Sequence, residues 1–172
     1  KLLVSFYTMR NILRDGGAQD IAALQQLNYT TGSGGYTNST TPSIWPSKGV
    51  ITSPYGTRVD PVTGAASAFH EGVDIADDYG TPIVATAAGT VTFAGYTEGG
   101  YGNLVEIDHG NGFVTRYGHN SAVLVTPGMT VKQGQVIALM GSTGKSTGAH
   151  VHYEVRINGS AVDPMVFLPI SN

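Results

Sequence analysis

The sequence contains no cysteine, few charged residues and no long apolar run. Without cysteine there are no disulfides, no thiol nucleophile and no cysteine-ligated zinc, so any bound metal must use histidine and carboxylate ligands. Nine Lys and Arg against twelve Asp and Glu give a net charge of −3, which leaves no basic surplus for binding nucleic acid. No segment approaches the ~20 apolar residues of a membrane span, so we expect no membrane insertion by these residues.

Glycine is abundant instead, at 24 of 172 residues, and it separates short runs rich in Val, Ile, Thr and Tyr. Such runs, with turn signals roughly every 8–12 residues, are typical of an antiparallel β sandwich or barrel. The pair Asn111-Gly112 between two runs indicates a hairpin turn. The sequence predicts six strands, which lie at 82–87, 90–94, 104–108, 113–117, 135–140 and 151–157.

The first 44 residues differ in composition from the remainder. Apolar residues recur at spacings of three and four within 1–28, which predicts a short helical N-terminal segment of two amphipathic helices. Residues 29–44 are rich in Thr, Ser and Gly, the composition of a flexible linker with few contacts to a core. We therefore predict a β domain over 45–172. Because the sequence opens at Lys1 without Met, we expect a fragment of a longer chain.

Two histidine groups have the composition of a metal site. In the segment HEGVD, a straight strand would hold His70 and Asp74 ~13 Å apart, but Gly72 can supply the bend that brings them together. In HVH, His150 and His152 begin a predicted strand, where residues two apart project from the same face. Together these groups supply the histidine and carboxylate set of a catalytic zinc site, in which three protein ligands leave a fourth position for water.

The two other histidines receive different interpretations. His119 lies at the end of a predicted strand in YGHN, a place where a rigid scaffold commonly holds a catalytic side chain. Imidazole exchanges protons near neutral pH, so His119 is a candidate for proton transfer, together with whichever of His150 and His152 is not a ligand. His109 lies among turn residues in DHGNG, and we expect it to be an exposed loop residue.

The segments HEGVD, YGHN and HVH, in this order, resemble the M23 family of zinc metallopeptidases, the lysostaphin and LytM type. The resemblance covers about residues 45 to 168 and includes the stretches TSPYGTRVDP and VKQGQVIALMGSTGKSTGAHVHYEVRING. It implies a compact antiparallel β domain whose substrate groove is floored by a sheet. It also implies a zinc-dependent endopeptidase that hydrolyses peptide cross-links of bacterial peptidoglycan.

The resemblance assigns a role to each motif residue. It implies that His70, Asp74 and His152 ligate one zinc ion per chain. It implies that His119 and His150 are the catalytic histidines, which transfer protons and stabilise the oxyanion while zinc activates water. Spacing alone does not separate His150 from His152, so their distinct roles rest on the resemblance.

Substrate contacts are less well defined by the motifs. Some family members place a tyrosine a few residues before the first histidine, whereas residues 62–69 contain none here. Arg58, as a fixed cation able to reach the groove, and Asn103 are our candidates for substrate binding. The sequences YGTRVDPVTG and FHEGVDIA resemble those of envelope enzymes of Gram-negative bacteria more than those of glycyl-glycine lysins. We therefore favour D,D-endopeptidase activity and leave glycyl specificity open.

The resemblance also implies where the protein acts and what it contacts. We expect a monomer in the cell envelope, periplasmic or secreted, that binds peptidoglycan peptides and no nucleic acid. Anchoring to a membrane through a segment outside this sequence is left open.

Two other functions compete with the enzyme. Family members that have lost zinc ligands act as binding modules that activate cell-wall amidases, but all five key positions are retained here. The stretch VKQGQVIALMG is similar to hairpins of biotinyl and lipoyl carrier domains. Those domains present a modified lysine at a tight turn between hairpins, whereas Lys145 lies in a Gly and Ser loop before the HVH strand.

Overall fold

The computed structural model describes residues 36–59, 62–64, 68–170 and 172, and the regular secondary structure of this part of the chain is almost entirely antiparallel β strand. Its strands are, in order, β1 (Val50–Ser53), β2 (Gly56–Arg58), β3 (Ala68–His70), β4 (Val73–Ala76), β5 (Pro82–Val84), β6 (Gly89–Thr97), β7 (Gly102–Asp108), β8 (Phe113–Asn120), β9 (Ala122–Val123), β10 (Thr130–Val131), β11 (Val136–Leu139), β12 (His150–Ile157) and β13 (Ser160–Val162). The mainly β fold predicted from the sequence is confirmed.

A 3₁₀ helix, Pro164–Phe167, follows the last strand. In the described ranges, no helix has the length and apolar character needed to cross a membrane. The helices predicted within 1–28 lie outside the described residues.

The strands form one large sheet and two small ones. The large sheet has the order β1-β4-β12-β8-β7-β6-β10, with β13 also paired to β12. A three-stranded sheet has the order β5-β11-β9, and β2 and β3 form a separate hairpin. All six strands predicted from the sequence are present, and β7 and β8 are joined across Asn111-Gly112 as expected.

The hydrophobic core lies between the large sheet and the three-stranded sheet. Ile83 and Ile137 of the small sheet are fully buried in one apolar cluster with residues of the large sheet. Strand β12 contributes Val151, Tyr153 and Val155 to this cluster, so its alternate residues face the opposite side. Those alternate residues are His150, His152, Glu154 and Arg156. The alternation therefore places the HVH histidines on the face of the sheet directed away from the core.

Strand register brings the other site residues to that same face. Asp74 on β4 pairs with His152 on β12, and Gly118 on β8 pairs with His152 from the other side. The bend before β4 depends on Gly72, because a Cβ there would lie 2.3 Å from the carbonyl oxygen of Tyr153. The close approach explains how four residues of chain bring His70 back toward Asp74, as the sequence predicted.

The described half of the predicted linker contacts the β domain, contrary to the expectation of few contacts. Thr37 and Gln133 exchange backbone hydrogen bonds, and the Thr37 hydroxyl donates to Gln133 Oε1 at 2.6 Å. The Ala88 amide donates to the Ser39 carbonyl oxygen, and Gln133 Nε2 donates to the Ser43 hydroxyl at 2.8 Å. Composition indicated a linker because Thr and Ser are frequent in linkers, but here their polar groups satisfy buried partners in the fold.

The prediction of an exposed His109 is wrong. The residue is only 4% exposed, and its two ring nitrogens bond the Ala88 carbonyl oxygen and the Thr115 hydroxyl, each at 2.8 Å. Burial lowers the pKa of His109, which favours the neutral ring. The turn residues around His109 do turn the chain, but they fold its side chain back under the sheet.

Candidate active site

Three ligand atoms converge on the groove face of the large sheet. His70 ends β3, Asp74 is in β4 and His152 is in β12. His70 Nε2 lies 3.1 Å from Asp74 Oδ1 and 3.0 Å from His152 Nδ1. The third separation, from His152 Nδ1 to Asp74 Oδ1, is 3.1 Å. Two nitrogens and one oxygen thus form a nearly equilateral triangle.

The donor set of this triangle fits a metal cation. Bonds of about 2.0–2.1 Å at tetrahedral angles hold zinc ligand atoms about 3.3 Å apart, close to the spacings found here. The outer nitrogens are already engaged, because His70 Nδ1 donates to the Pro54 carbonyl oxygen at 2.8 Å and His152 Nε2 donates to Glu154 at 2.9 Å. In the deprotonated form of each ring the remaining nitrogen directs its lone pair toward the Asp74 carboxylate, so that three electron-pair donors surround one point.

His119 and His150 lie beside the triangle, with their ring centroids 4.6 Å apart. His119 Nδ1 donates to the Thr143 carbonyl oxygen at 2.7 Å, and His150 Nδ1 donates to the Gly148 carbonyl oxygen at 2.8 Å. With Nδ1 donating to the backbone, Nε2 is the atom of each ring that can accept a proton. His150 Nε2 lies 3.6 Å from Asp74 Oδ1, outside the triangle that His152 completes. The geometry thus distinguishes two histidines that sequence spacing treats alike.

The backbone of His119 adopts a left-handed conformation, with φ of 64°, which costs a non-glycine residue of order 1–3 kcal/mol. Its amide donates to the Tyr101 carbonyl oxygen at 2.6 Å, and Thr143 holds its ring from the other side. Burial, with repulsion from His150, lowers the pKa of His119 to about 4. The strained backbone therefore holds a neutral imidazole in a fixed position.

Two cavities flank the histidines. One, of about 300 Å³, is lined in part by Phe69, Tyr101 and His152, and the other, of about 460 Å³, by Val59, Ser146 and His150. His119 and Lys145 line both cavities, so the two are adjacent at the histidines. An extended chain lying in both cavities would pass over the ligand triangle.

The comparison with known families agrees with this geometry. Residues 68–164, more than half of the chain, match the model described as peptidase family M23. The chain belongs to this family. The family predicted from the three histidine motifs is thereby confirmed, and the matched residues include all five motif positions.

Relatives of this M23 chain carry two kinds of name. DD-carboxypeptidase/endopeptidase Mpg of Neisseria meningitidis serogroup B (strain ATCC 13091 / M2091) is 49% identical over 120 residues, which are 69% of this chain and 27% of Mpg. Murein hydrolase activator NlpD of Escherichia coli K12 is 40% identical over 125 residues, 73% of this chain and 31% of NlpD. The chain thus spans less than a third of either relative. A zinc containing peptidase from Vibrio cholerae is 36% identical, with a TM-score of 0.64 over 76% of this chain and 39% of that one.

The charges of the M23 site favour a cation between the three ligand atoms. Burial acts to raise the pKa of Asp74, but hydrogen bonds and charge from His152 and His70 outweigh it and hold this pKa far below its ordinary value. Burial acts to lower the pKa of His152, but hydrogen bonds to Asp74 and Glu154 outweigh it and raise this pKa to about 9. The site therefore binds a proton tightly, and a metal ion bound at the same point would displace that proton.

A polar network that the sequence analysis missed lies behind His152. Glu154 is fully buried and accepts hydrogen bonds from His152 Nε2, the Tyr101 hydroxyl and Arg156 Nη1. The Tyr101 hydroxyl also accepts from Arg116 Nη1 at 3.2 Å. Two-residue alternation in the strand predicts that Glu154 shares a face with His152, so that signal was present in the sequence. No local signal indicated Tyr101, which directly precedes β7 and contacts Glu154 from there.

The two candidates for substrate binding have different positions. Arg58 ends β2, and its side chain lies outside the described part of the structure. Asn103 Nδ2 donates to the Asn120 carbonyl oxygen, and Asn120 Nδ2 donates back to the Asn103 carbonyl oxygen, each at 3.0 Å. Asn103 thus fastens β7 to β8 next to His119, and a role in substrate binding stays a prediction for both residues.

Proposed function

We propose that this chain is a zinc-dependent endopeptidase that hydrolyses peptide cross-links of bacterial peptidoglycan. The observation that carries the proposal is the complete site: three ligand atoms 3.0–3.1 Å apart lie beside two histidines whose Nε2 atoms are not engaged by the backbone. A zinc site that only stabilised the fold would have four protein ligands, and it would have no use for neighbouring histidines that can accept a proton.

His70, Asp74 and His152 would hold the zinc ion. Zinc bound there supplies Lewis acidity, which polarises a substrate carbonyl and lowers the pKa of the attacking water. The two cavities align an extended peptide so that its scissile bond lies over the triangle.

His119 and His150 carry out the proton transfers. A neutral His119 accepts a proton at Nε2 from the attacking water, and the hydrogen bond from Nδ1 to Thr143 stabilises the resulting imidazolium. Either imidazole, once protonated at Nε2, donates to the oxyanion or to the leaving amine. The carbonyl groups of Thr143 and Gly148 keep both rings oriented throughout.

Activation of a separate amidase is the second candidate function. The observation in its favour is the 40% identity to a protein named murein hydrolase activator. A binding module needs the groove but not the ligand triangle. The enzyme is favoured because the triangle and both proton-transfer histidines are present together.

The cross-link is the substrate bond that we favour, and the cell envelope is the site of action. The relative named DD-carboxypeptidase/endopeptidase supports a D,D bond, because it is 49% identical over 120 residues of this chain. A periplasmic or secreted monomer would have direct access to peptidoglycan peptides.

The test is mass spectrometry of purified peptidoglycan fragments after incubation with the zinc-loaded protein. We expect cross-linked dimers to give monomers, with loss of activity after chelation and recovery when zinc is restored. Asp74→Ala serves as the matched control, because it removes a ligand and leaves the groove in place. Unchanged fragments, combined with faster cleavage by an added amidase, would support the activator instead.

A further inference from the structure

The outer nitrogens of the four site histidines have unequal partners. His70, His119 and His150 each direct Nδ1 to a backbone carbonyl oxygen, at 2.7–2.8 Å. His152 instead directs Nε2 to a carboxylate oxygen of Glu154 at 2.9 Å. A carbonyl carries a partial charge, whereas a carboxylate carries a full one, so the bond behind His152 is the stronger acceptor interaction.

Glu154 occupies a position that is costly for a carboxylate. Its side chain is 0% exposed, and a buried carboxylate destabilises the fold unless it is paired and hydrogen-bonded. Arg156 supplies the positive partner, and the Tyr101 hydroxyl donates a further hydrogen bond. Three donors hold one carboxylate in a single orientation, so the direction in which it accepts from His152 is fixed as well.

The arrangement extends beyond Glu154 across the sheet. Arg116 pairs in register with both Glu154 on β12 and Glu106 on β7, and its Nε donates to Glu106 at 2.7 Å. The Tyr101 hydroxyl joins Arg116 to Glu154, and its ring lies 5.6 Å from the ring of His152. The orientation of Glu154 is thus determined by a network on three strands rather than by one contact.

We propose that Glu154 is a positioning residue for the metal centre: by accepting the Nε2 proton of His152, it directs the Nδ1 lone pair at the point shared with His70 and Asp74. The inference rests on the proposed metal site but not on the substrate or the bond cleaved. A carboxylate behind a ligating imidazole fixes the tautomer and the ring, and it makes the ligand more basic. Loss of such a partner typically weakens metal binding 10–100-fold.

The first test measures zinc affinity by competition with a chromogenic chelator. Glu154→Leu removes the acceptor and should weaken zinc binding about 10–100-fold. Glu154→Gln retains a carbonyl oxygen for the His152 proton and should recover most of that loss. Tyr101→Phe removes one of the three donors that orient Glu154 but keeps the bond from His152 to Glu154, so it should weaken zinc binding less than Glu154→Leu does.

A stability control separates positioning from folding. Thr115→Val removes a hydroxyl that is fully buried on the core side of β8, where it bonds His109 and Tyr117. This variant should lower the melting temperature without changing zinc affinity. If Glu154→Leu behaves like Thr115→Val, losing stability but not zinc affinity, Glu154 has only a structural role and the proposal is overturned.

The second test observes the proton itself. In zinc-loaded wild type, long-range ¹H–¹⁵N spectra should show His152 protonated at Nε2, with slow exchange against solvent. Exchange at that nitrogen should accelerate in Glu154→Leu and remain slow in Glu154→Gln. A His152 protonated at Nδ1 would overturn the proposal. Neither test uses hydrolysis, so a protein that binds zinc as described but cleaves no peptidoglycan would refute the proposed function alone.

Discussion

His109 and His119 lie at opposite ends of the same pair of strands, and both are buried, at 4% and 7% exposure. Both direct Nδ1 to a backbone carbonyl oxygen, that of Ala88 for His109 and that of Thr143 for His119. The other nitrogen differs. His109 Nε2 bonds the Thr115 hydroxyl, whereas His119 lines both cavities of the groove.

The contrast shows which property separates the histidine proposed to be catalytic from the one that only packs in the core. Burial, a held ring and a lowered pKa are common to both ends of the sheet, since burial lowers the pKa of His109 as well as that of His119. We call the end of the strand pair that holds His109 the core end. There, hydroxyl groups of Thr115, Tyr117 and Thr86 continue the hydrogen-bond network inward from His109. At the other end His119 lines the groove, and we propose that this position, rather than burial or a lowered pKa, suits it to proton transfer.

The largest effect is expected within the groove itself, for the two histidines of β12. His152→Ala removes a proposed ligand, so zinc content should collapse and activity with it. His150→Ala should retain zinc while losing roughly 10²–10⁴ in rate, because a proton-transfer group is gone. Metal analysis of the purified variants decides the assignment. Zinc retained in the His152 variant and lost from the His150 variant would mean that the two roles are reversed.

His119→Ala should lower kcat by roughly 10²–10⁴ while leaving zinc bound, because its proposed role is proton transfer and not ligation. The measurement is steady-state hydrolysis of a defined cross-linked fragment, together with zinc content. Removal of a strained left-handed side chain does not relieve the backbone, so we expect little gain in stability. A variant with normal kcat would contradict the distinction drawn between the two ends of the sheet.

His109→Ala should show the reverse behaviour. The substitution leaves a cavity and removes the buried hydrogen bond between His109 and the Thr115 hydroxyl, at a cost of about 2–3 kcal/mol in the free energy of unfolding. Activity per folded molecule and zinc content should remain near wild type. Urea unfolding followed by activity at a temperature where the variant is folded tests both statements. A large fall in kcat for folded protein would show that the core end communicates with the groove.

The features that could be predicted from the sequence have local signals. Alternation and glycine punctuation indicated the strands, and the same two-residue period placed His150 and His152 on one face. The bend at Gly72 also had a local signal, because a glycine between two candidate ligand residues can supply a bend that brings them together. The resemblance to the M23 family then supplied a role for each motif residue, which spacing alone does not supply.

The features that could not be predicted depend on contacts between distant segments. His109 is surrounded by turn residues, yet its burial is determined by Ala88 and Thr115, on other strands. The carbonyl of Thr143 that orients His119 is a backbone group, and no side-chain pattern encodes it. Tyr101 reaches Glu154 through tertiary packing over 53 positions of sequence.

The core end also anchors residues 36–43, which gives a smaller effect. A protein lacking residues 1–43 should be less stable than one lacking 1–35 by about 2 kcal/mol, because Gln133 loses its bonds to Thr37 and Ser43. For a domain of this size that corresponds to a melting temperature lower by roughly 4–8 °C. Zinc content should be equal in the two proteins. Identical melting temperatures would show that these hydrogen bonds contribute nothing net.

The smallest effect is the pH dependence that His109 adds to stability. Its pKa is lowered in the folded protein by burial, so above the ordinary value of 6.5 the ring is neutral whether folded or unfolded and contributes no slope. Below that value the unfolded chain binds a proton that the folded chain resists, and as the pH falls the free energy of unfolding decreases by at most about 1.4 kcal/mol per pH unit.

His109→Gln cannot be protonated, so the free energy of unfolding should fall less steeply from pH 7 to pH 5 in this variant. The comparison should use metal-free protein in both cases, because zinc release at low pH would add its own slope at the groove end. Parallel pH profiles for the two proteins would mean that His109 is protonated as readily in the fold as outside it.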